Sequence, residues 1–482
     1  MRIPPEVQRI LDALQGTGFE AHVVGGCVRD LLRGVEPQDW DVATSATPDK
    51  IQKVFPKSYY ENRFGTVTVH TKSTDPRVKE VEVTTYRTEE AYSDQRHPDR
   101  VSFTGKIEDD LARRDFTVNA IALRLSKGQE EIVDPFKGQQ DLKDRLLRAV
   151  GTPEDRFKED TLRLLRTIRF SVTLGLTIEP ATLAALKEQA PSIARVSHER
   201  IRDELVKILM HPDAEQGFVL LQETGLLRYI IPELSEGVGV EQNKHHIYTV
   251  FEHNVKSLGF SARANDPLHI RLATLLHDVA KPRTKKGEYP DATFYGHDIV
   301  GAAMTRKILT RLKFPRETVQ SVSRLVRHHL FMYDIGVVTE AGVRRLLRRV
   351  GPENFQDLIR VRMAERRGSG VPKARPYRLR HLEFMAEKVS RDPLSTKMLR
   401  INGHDLQKEL GLPPGPLIGA ILDVLLAEVI EDPEKNTRET LLKRANMLAK
   451  QDLSTLRSRA KDTLSAKQQE EEEEIKRKYH VA

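Results

Sequence analysis

Cysteine is nearly absent from this sequence, since Cys27 is the only one in 482 residues. A single cysteine excludes an internal disulfide and favours a reducing compartment, so a cytoplasmic protein is expected. No apolar run approaches 18 residues, so neither a membrane-spanning helix nor a membrane partner is expected. The N-terminal stretch also lacks the apolar core of a signal peptide.

Aromatic residues are scarce as well, at 6% of the chain. This argues against a surface that binds single strands by stacking many bases. Charged residues make up 31%, and the formal net charge is +8. A basic balance fits a protein that meets phosphate backbones. A length of 482 residues predicts two to four domains.

The first 150 residues and the remainder differ in pattern. Period-two alternation predicts strands at residues 64–71 and 79–85, an acidic strand is expected at 39–44, and the polar stretch 88–100 predicts a loop. After residue 150 the apolar spacing is helical, for example over 154–173. These patterns predict an α+β fold, with a mixed β-sheet and helices first and helices almost throughout the rest.

Two aspartates separated by one tryptophan, Asp39 and Asp41, follow a glycine pair, Gly25 and Gly26. On a strand, residues i and i+2 share a face, and two carboxylates that close favour a cation between them. Mg²⁺ binds one or two carboxylates together with substrate phosphates. The glycine turn can bring backbone N–H groups to an anion, and Arg29 adds charge. The pattern indicates nucleotidyl transfer; the alternative is an acidic strand end beside a surface turn.

Glu82 lies on a predicted strand where it can supply a third carboxylate near the two aspartates. Such a set suits an in-line displacement assisted by two metal ions, and one carboxylate can accept the proton of an attacking 3′-hydroxyl. The alternative is a solvent-facing glutamate. Further on, Arg114 and Asp115 can grip a ribose, or can form a surface ion pair of little energetic value.

Asp160, Arg163 and Arg166 are spaced by three residues and are expected on one helical face. Aspartate accepts hydrogen bonds and arginine donates them, so the pair can read the edges of cytosine or adenine without a template. An ordinary helix salt bridge is the alternative interpretation.

The ordered motifs carry a resemblance to a known family. They read VGGCVRD, DWD, VEVTTYR, RRDFTVNA, DPFKGQQDL, EDTLRLLR and SHERIRDEL. This order resembles the class II tRNA nucleotidyltransferases and their bacterial poly(A) polymerase relatives. The block INGHDL followed by PPGPLIGAILDVLL is similar to the C-terminal region of bacterial CCA-adding enzymes.

The resemblance implies roles for individual residues. Asp39 and Asp41 become metal ligands, and Asp160 and Arg163 become base readers. The implied nucleotide-binding set is Gly25, Gly26, Arg29, Arg114, Asp115, Asn119, Asp160, Arg163 and Arg166. The expected partners are tRNA, CTP and ATP, with no DNA, and the expected ion is Mg²⁺. The implied parts are a nucleotidyltransferase head (1–150), a neck (151–235), a metal-binding helical domain (236–380) and a tRNA-binding tail (381–482).

Two segments bear on which member of the family this is. The segment ENRFGTVTVH is similar to the CCA-adding side rather than to the poly(A) polymerases. The loop from Glu89 to Arg100 has what looks like full length, which favours addition of CCA, or of its terminal A alone, over addition of CC. Poly(A) polymerase remains an alternative.

A block of histidines lies between residues 240 and 335. His253, His277, Asp278, His297 and His328 follow the order of the HD phosphohydrolase superfamily, which this block resembles. Imidazole and carboxylate groups from several helices can hold one or two divalent metals, whose bound water hydrolyses phosphoesters such as 2′,3′-cyclic RNA ends. The alternatives are core histidines, or a domain that only scaffolds tRNA. A third functional hypothesis is a metal-dependent phosphohydrolase. In that case the histidine block would be the active site, and the head would only bind RNA.

A basic helix completes the set of candidates. Arg344, Arg345, Arg348 and Arg349 recur at helical spacing and form a positive stripe. Contacts of this kind position RNA through its phosphates and would recognise tRNA by its shape. The alternative is a solvated charged helix.

Overall fold

The structure is a computed structural model. It describes residues 2–60, 65–90, 100–126, 129–243, 247–370, 376–390, 396, 399–456, 458 and 473–480. The chain divides into two compact units: residues 1–329 with 360–371, and residues 330–359 with 372–482. Among the described residues, no helix is long and apolar enough to cross a membrane.

The N-terminal part of the first unit alternates between helices and strands. Its elements are α1 (Pro5–Gly16), β1 (Ala21–Val24), α2 (Gly26–Leu32), β2 (Asp41–Thr44), α3 (Pro48–Val54), β3 (Ser58–Tyr60), β4 (Thr66–His70), α4 (Pro76–Lys79), β5 (Glu80–Thr85), β6 (Arg87–Glu90), β7 (Arg100–Phe103), α5 (Ile107–Ala112), β8 (Ala122–Ser126), β9 (Gln129–Val133), α6 (Gly138–Lys143) and β10 (Leu146–Leu147).

Seven of these strands form one sheet in the order β3-β4-β5-β2-β1-β8-β9. The β2–β5 pair is parallel and the other pairs are antiparallel. Alternate residues face two apolar cores: Val23 and Val42 lie in one, and Val24 and Ala43 lie in the other. Because both faces of its central strands are buried, the sheet holds the ends of β1, β2 and β5 in fixed positions.

The rest of the first unit is helical. Its elements are α7 (Pro153–Glu159), α8 (Leu162–Leu174), the short strand β11 (Thr177–Ile178), α9 (Pro180–Gln189), α10 (His198–Leu209), α11 (Ala214–Glu223), α12 (Leu227–Ile230), α13 (Pro232–Ser235), α14 (Val250–Arg263), α15 (Leu268–Leu276), α16 (Lys281–Thr284), α17 (His297–Arg311) and α18 (Arg316–His328).

The second unit begins just after α18. It contains α19 (Glu340–Val350), α21 (Tyr377–Ser390), α22 (Gly403–Leu410), α23 (Pro416–Glu431) and α24 (Arg438–Leu448), while α20 (Phe355–Gly368) includes residues assigned to both units. The last three helices share an apolar core built around Leu406, Ile421 and Leu441. A mixed sheet with helices followed by a mostly helical remainder confirms the α+β prediction.

Several predicted boundaries are wrong in detail. The acidic strand begins at Asp41 and not at residue 39. The predicted helix over 154–173 is two helices, because Asp160 is extended and its carboxylate accepts the backbone N–H of Leu162 at the start of α8. Residues 88–90 and 100 of the predicted loop lie in the hairpin strands β6 and β7, and 91–99 lie outside the described residues.

The division into four parts stays a prediction. Its boundaries at 150 and 235 fall within the first compact unit, and its boundary at 380 falls inside α21.

Candidate functional site

The two aspartates of the head stand at the start of β2. Trp40 between them is buried in the core at 4% exposure, so the residues on either side of it are directed away from that core. Asp39 is exposed, just before the strand, and Asp41 is half-buried as its first residue. Both carboxylates therefore line the same cavity.

Glu82 is the direct partner of Asp41 across the parallel pair of β2 and β5. Burial raises the pKa of Asp41 to about 6, with Arg114 opposing this rise and the charges of Glu82 and Asp39 adding to it. Crowded carboxylates of this kind are relieved by a bound cation, and carboxylate oxygens are the ligands that Mg²⁺ prefers. The donor set therefore fits the ion that the sequence predicted.

The glycine turn comes close to the aspartates. Gly25 has a φ of 80°, a conformation that favours glycine, and it separates β1 from α2. A Cβ atom on Gly25 would lie 2.6 Å from Nη1 of Arg114 and 3.8 Å from Oδ2 of Asp41. The absence of a side chain at Gly25 thus keeps the space between the turn, the arginine and the aspartate open.

A hydrogen-bonded chain joins α2 to α8 along one side of the cavity. Arg29 donates to Oδ1 of Asn119 at 2.6 Å, and Nδ2 of Asn119 donates to Asp115 at 3.0 Å. Asp115 also accepts from Nε of Arg166 at 2.9 Å. Burial would raise the pKa of Asp115, but the charge of Arg166 and these hydrogen bonds hold it well below its usual range. Asp115 is therefore a charged acceptor at the centre of this network.

Asp160 and Arg163 face the cavity from the break between α7 and α8. Both carboxylate oxygens of Asp160 accept from Nη2 of Arg200, at 3.0 and 3.1 Å. The Arg163 guanidinium donates to the carbonyl of Arg113 at 3.0 Å and to the carbonyl of Arg156 at 2.9 Å. Each side chain is thus fixed by a group outside the pair. The expectation of one continuous helical face for Asp160, Arg163 and Arg166 is wrong, since Asp160 precedes α8.

One cavity of about 650 Å³ collects these groups. Its walls hold more basic than acidic side chains. They are formed by Gly25, Gly26, Arg29, Asp39, Asp41, Arg113, Arg114, Asp115, Asn119, Asp160, Leu162, Arg163, Arg166, Arg169, Phe170, Arg200 and Lys207. The predicted nucleotide-binding residues all lie in these walls, and a cavity of this charge suits an anionic ligand.

A second cavity in the head is slightly larger, at about 730 Å³. It lies beside the N-terminus, and Arg2, Glu36 and Arg77 are among the residues that line it. None of the predicted carboxylates lines this second cavity, so its size does not make it the site of the chemistry.

A second cluster of titratable groups is buried among the helices of the same unit. Asp278 lies at its centre, with Nε2 of His277 at 3.2 Å and Nε2 of His253 at 3.4 Å from one carboxylate oxygen. Nε2 of His297 and of His329 lie 3.3 and 3.6 Å from the other oxygen. The ligand atoms thus form two groups of three that share Asp278.

The hydrogen bonds of three of these histidines fix which ring nitrogen faces Asp278. Nδ1 of His277, His297 and His329 each lies 2.6–2.8 Å from the carbonyl oxygen three residues earlier. Because a carbonyl only accepts, each Nδ1 carries a proton, and Nε2 is the ring nitrogen that faces Asp278. Nε2 atoms gathered around one carboxylate in this way are positioned to bind a divalent metal together with it.

The structure gathers His329, not the predicted His328, into this cluster. The buried face of α18 carries Val319, Val322 and Val326, and the same spacing continues to His329. His328 lies one residue off that face and is half-buried. The sequence prediction of His328 as a metal ligand is therefore corrected to His329, which the apolar spacing of the helix could have indicated.

Sequence reasoning also missed two charged groups beside this cluster. Nζ of Lys281 lies 2.6 Å from Asp278. Burial would raise the pKa of Glu365, but the charge of Arg362 and the nearby histidines lower it to about 2. These groups help to set the charge around the histidines.

The four arginines of the predicted RNA-binding stripe lie on the exposed side of α19. Val343, Leu347 and Val350 fill its buried side. Arg344 is paired with Glu340 at 3.3 Å. The stripe is therefore available to a ligand from solution, within a unit separate from the cavity.

Comparison with known proteins identifies the family. The chain is 38% identical to the A-adding tRNA nucleotidyltransferase of Deinococcus radiodurans over 419 residues, which cover 84% of this chain and 90% of that protein. The chain belongs to the tRNA nucleotidyltransferase family. It is also 32% identical to the CCA-adding enzyme of Geobacillus stearothermophilus, over 91% of this chain and 96% of that protein. The predicted family resemblance is confirmed.

The family models divide along the chain. Residues 21–148 match the poly A polymerase head domain, and residues 175–237 match the model described as “Probable RNA and SrmB- binding site of polymerase A”. Residues 298–445 match domain 2 of tRNA nucleotidyltransferases. These three models leave residues 238–297 uncovered, so the resemblance to HD phosphohydrolases stays a prediction.

The chain is also similar to solved structures of CCA-adding enzymes. The Bacillus stearothermophilus CCA-adding enzyme in complex with CTP aligns with a TM-score of 0.58 at 29% identity, over 95% of this chain and 100% of that chain. The Thermotoga maritima CCA-adding enzyme complexed with tRNA aligns with a TM-score of 0.53 at 20% identity, over 92% and 96%. The second likeness concerns the fold alone.

Proposed function

We propose that the protein completes the 3′ end of tRNA by adding CCA, or its terminal A, from CTP and ATP without a nucleic-acid template. The observation that carries this is the cavity in which Asp39 and Asp41 meet the basic side chains of α2, α8 and α10. The names of its relatives, an A-adding and a CCA-adding enzyme, point to the same reaction. We also propose a cytoplasmic location, because a single cysteine is typical of proteins in a reducing compartment.

Asp39, Asp41 and Glu82 would hold Mg²⁺ where the start of β2 lies beside β5. Two such ions supply charge that stabilises the attacking and leaving oxygens of an in-line displacement. The chain's own part is to present the carboxylates on one face, through the register of Asp41 with Glu82. A carboxylate here can also accept the proton of the 3′-hydroxyl of the tRNA.

The remaining groups would orient the nucleotide. The turn at Gly25 and Gly26, with Arg29, would bind the triphosphate, and Asp115, Asn119 and Arg114, which line the same cavity, would bind a ribose hydroxyl. This arrangement gives the nucleotide fixed partners at both its charged and its sugar ends.

Base choice would come from Asp160 and Arg163. Cytosine and adenine each present an amino group beside a ring nitrogen that accepts a hydrogen bond, so one acceptor and one donor read both bases. Guanine and uracil present a carbonyl in place of that amino group, which would face the carboxylate of Asp160 unfavourably. Arg200 holds the carboxylate in place for this reading.

A double variant tests whether the carboxylates of Asp39 and Asp41 are needed for nucleotide addition. The Asp39→Ala/Asp41→Ala protein is expected to lose addition of labelled AMP to tRNA ending in CC, while far-ultraviolet circular dichroism stays unchanged. Normal addition by this variant would contradict the assignment of the metal site.

A second activity is favoured by the two histidine groups that share Asp278. We infer that this cluster binds one or two divalent metals and hydrolyses phosphoesters such as 2′,3′-cyclic ends, which would suit repair of RNA ends. Hydrolysis of 2′,3′-cyclic AMP with added Mn²⁺, Ni²⁺ or Mg²⁺ tests it. The His277→Ala protein is expected to lose hydrolysis and to keep nucleotide addition.

A further inference from the structure

Phe170, near the C-terminal end of α8, lies where three guanidinium groups meet. The guanidinium carbon of Arg169 is 3.7 Å from the centre of its ring, that of Arg166 is 5.2 Å away, and that of Arg29 is 5.5 Å away. The ring is 6% exposed and lines the cavity. The ring also packs edge-on against Phe116, at 5.7 Å between ring centres, within an apolar cluster.

These arginines come from two parts of the first unit. Arg29 belongs to α2, which begins at the glycine turn, while Arg166 and Arg169 belong to α8. Arg166 is held by Asp115 and Arg169 by Glu204, through hydrogen bonds from each Nε of 2.9 and 2.5 Å. The acidic partners hold the guanidinium groups of Arg166 and Arg169, and the Phe170 ring lies within 6 Å of all three guanidinium groups.

The guanidinium groups of Arg166 and Arg169 bring two like charges close together. Burial lowers the pKa of Arg169, Glu204 opposes this, and the charge of Arg166 lowers it further. Burial would lower the pKa of Arg166 as well, but the charge of Asp115 raises it. The face of an aromatic ring carries negative charge density and attracts cations within about 6 Å. Leucine would fill the same volume without that attraction.

We propose that Phe170 is a positioning residue for the nucleoside triphosphate, whose ring holds Arg29, Arg166 and Arg169 together as one cationic wall of the cavity. The inference rests on the proposed function, because it assigns the wall to the substrate of that reaction. It predicts that the ring contributes to affinity for the nucleotide more than to the rate of the chemical step.

The test compares three full-length variants. Phe170→Leu removes the aromatic face, Phe170→Tyr retains it, and Leu176→Ala disturbs the same apolar cluster at a residue that is not among those lining the cavity. The measurements are the Kd for ATP with Mg²⁺ by calorimetry, KM and kcat for addition of AMP to tRNA ending in CC, and the midpoint of thermal unfolding.

Phe170→Leu is expected to raise Kd and KM for ATP about tenfold, with kcat within about twofold of wild type. Phe170→Tyr is expected to stay within about threefold of the wild-type Kd. Leu176→Ala is expected to lower the unfolding midpoint and leave Kd unchanged. The proposal would be overturned if Phe170→Leu bound ATP with wild-type affinity. It would also be overturned if Leu176→Ala raised the Kd for ATP as much as Phe170→Leu does.

These measurements distinguish failure of the positioning role of Phe170 from failure of the proposed function. If the wild-type protein binds ATP and Phe170→Leu weakens binding, but no nucleotide is added to any tRNA, the positioning role stands and the proposed function fails. If the wild type adds nucleotides and Phe170→Leu binds ATP normally, the positioning role fails and the proposed function stands.

Discussion

Asp41 and Glu82 are direct partners on two parallel strands, so their side chains leave the same face of the sheet next to each other. This register predicts that Glu82→Gln lowers kcat for nucleotide addition on the order of 100-fold, because a ligand of the metal site is lost. Glu80→Gln is the matched control, since Glu80 lies two residues earlier on β5 and pairs with His70. Equal activities of the two variants would contradict the role of Glu82.

The raised pKa of Asp41 predicts how metal binding depends on pH. In the metal-free protein the native carboxyl keeps its proton up to about pH 6, whereas the unfolded chain loses it near 3.8. Stability from this group therefore falls as the pH rises through that window. Mg²⁺ is expected to raise the unfolding temperature most above pH 6, and progressively less as the pH falls below 6, because protons compete with the ion.

Asp41→Asn is expected to remove this effect of Mg²⁺ on the unfolding temperature at every pH. Asp12→Asn, at an exposed position of α1, serves as the control and should respond to Mg²⁺ as the wild type does. A wild-type response in Asp41→Asn would show that the ion acts elsewhere.

Two glycines with positive φ allow a controlled test of the turn. Gly25→Ala would place a methyl group 2.6 Å from Arg114, whereas Gly18→Ala would meet nothing within 4 Å. Both substitutions strain the backbone, at a cost of roughly 1–3 kcal/mol. Only Gly25→Ala is expected to raise KM for ATP, by at least about tenfold, if the turn and Arg114 bind the triphosphate. Similar KM values for the two variants would contradict that role.

Neighbouring histidines provide the test of the buried cluster. His329→Ala is expected to lose bound divalent metal, measured by plasma mass spectrometry on protein purified without chelator, because Nε2 of His329 faces Asp278. His328→Ala is expected to keep the metal content of the wild type. Loss of metal in His328→Ala but not in His329→Ala would show that His328, and not His329, is the metal ligand.

Arginines of α19 are expected to bind tRNA through phosphates. Arg345→Ala/Arg349→Ala should weaken tRNA binding and reduce the slope of log affinity against log salt by about 1.5. Arg9→Ala/Lys53→Ala, which removes two basic residues exposed on the head, should leave the slope unchanged. Equal slopes in the two double variants would remove α19 from the tRNA interface.

The residues that sequence reasoning placed well are those set by local geometry. Asp39, Asp41 and the glycine turn follow from strand alternation and backbone freedom within 20 residues of one another. Glu82 required only the assumption that its strand lies beside the acidic one. The α+β class followed from the change of periodicity near residue 150.

The residues that were missed depend on long-range packing. Arg200 reaches Asp160 across forty residues, and Phe170 looks like an ordinary apolar position of an amphipathic helix. Neither has a local signature. The helix break at Asp160 did have one, because Asp and Thr are preferred at helix starts and stand together at 160–161. The continuous apolar spacing of 154–173 outweighed that signal.

The most direct test of CCA or terminal-A addition supplies the protein with three tRNAs, which lack CCA, end in its first C or end in CC. Labelled CTP and ATP are given singly and together. We expect growth that stops at CCA, either from all three tRNAs or, for an A-adding enzyme, from the CC end with ATP alone. Long A tracts, or no incorporation into any of the three, would contradict the account.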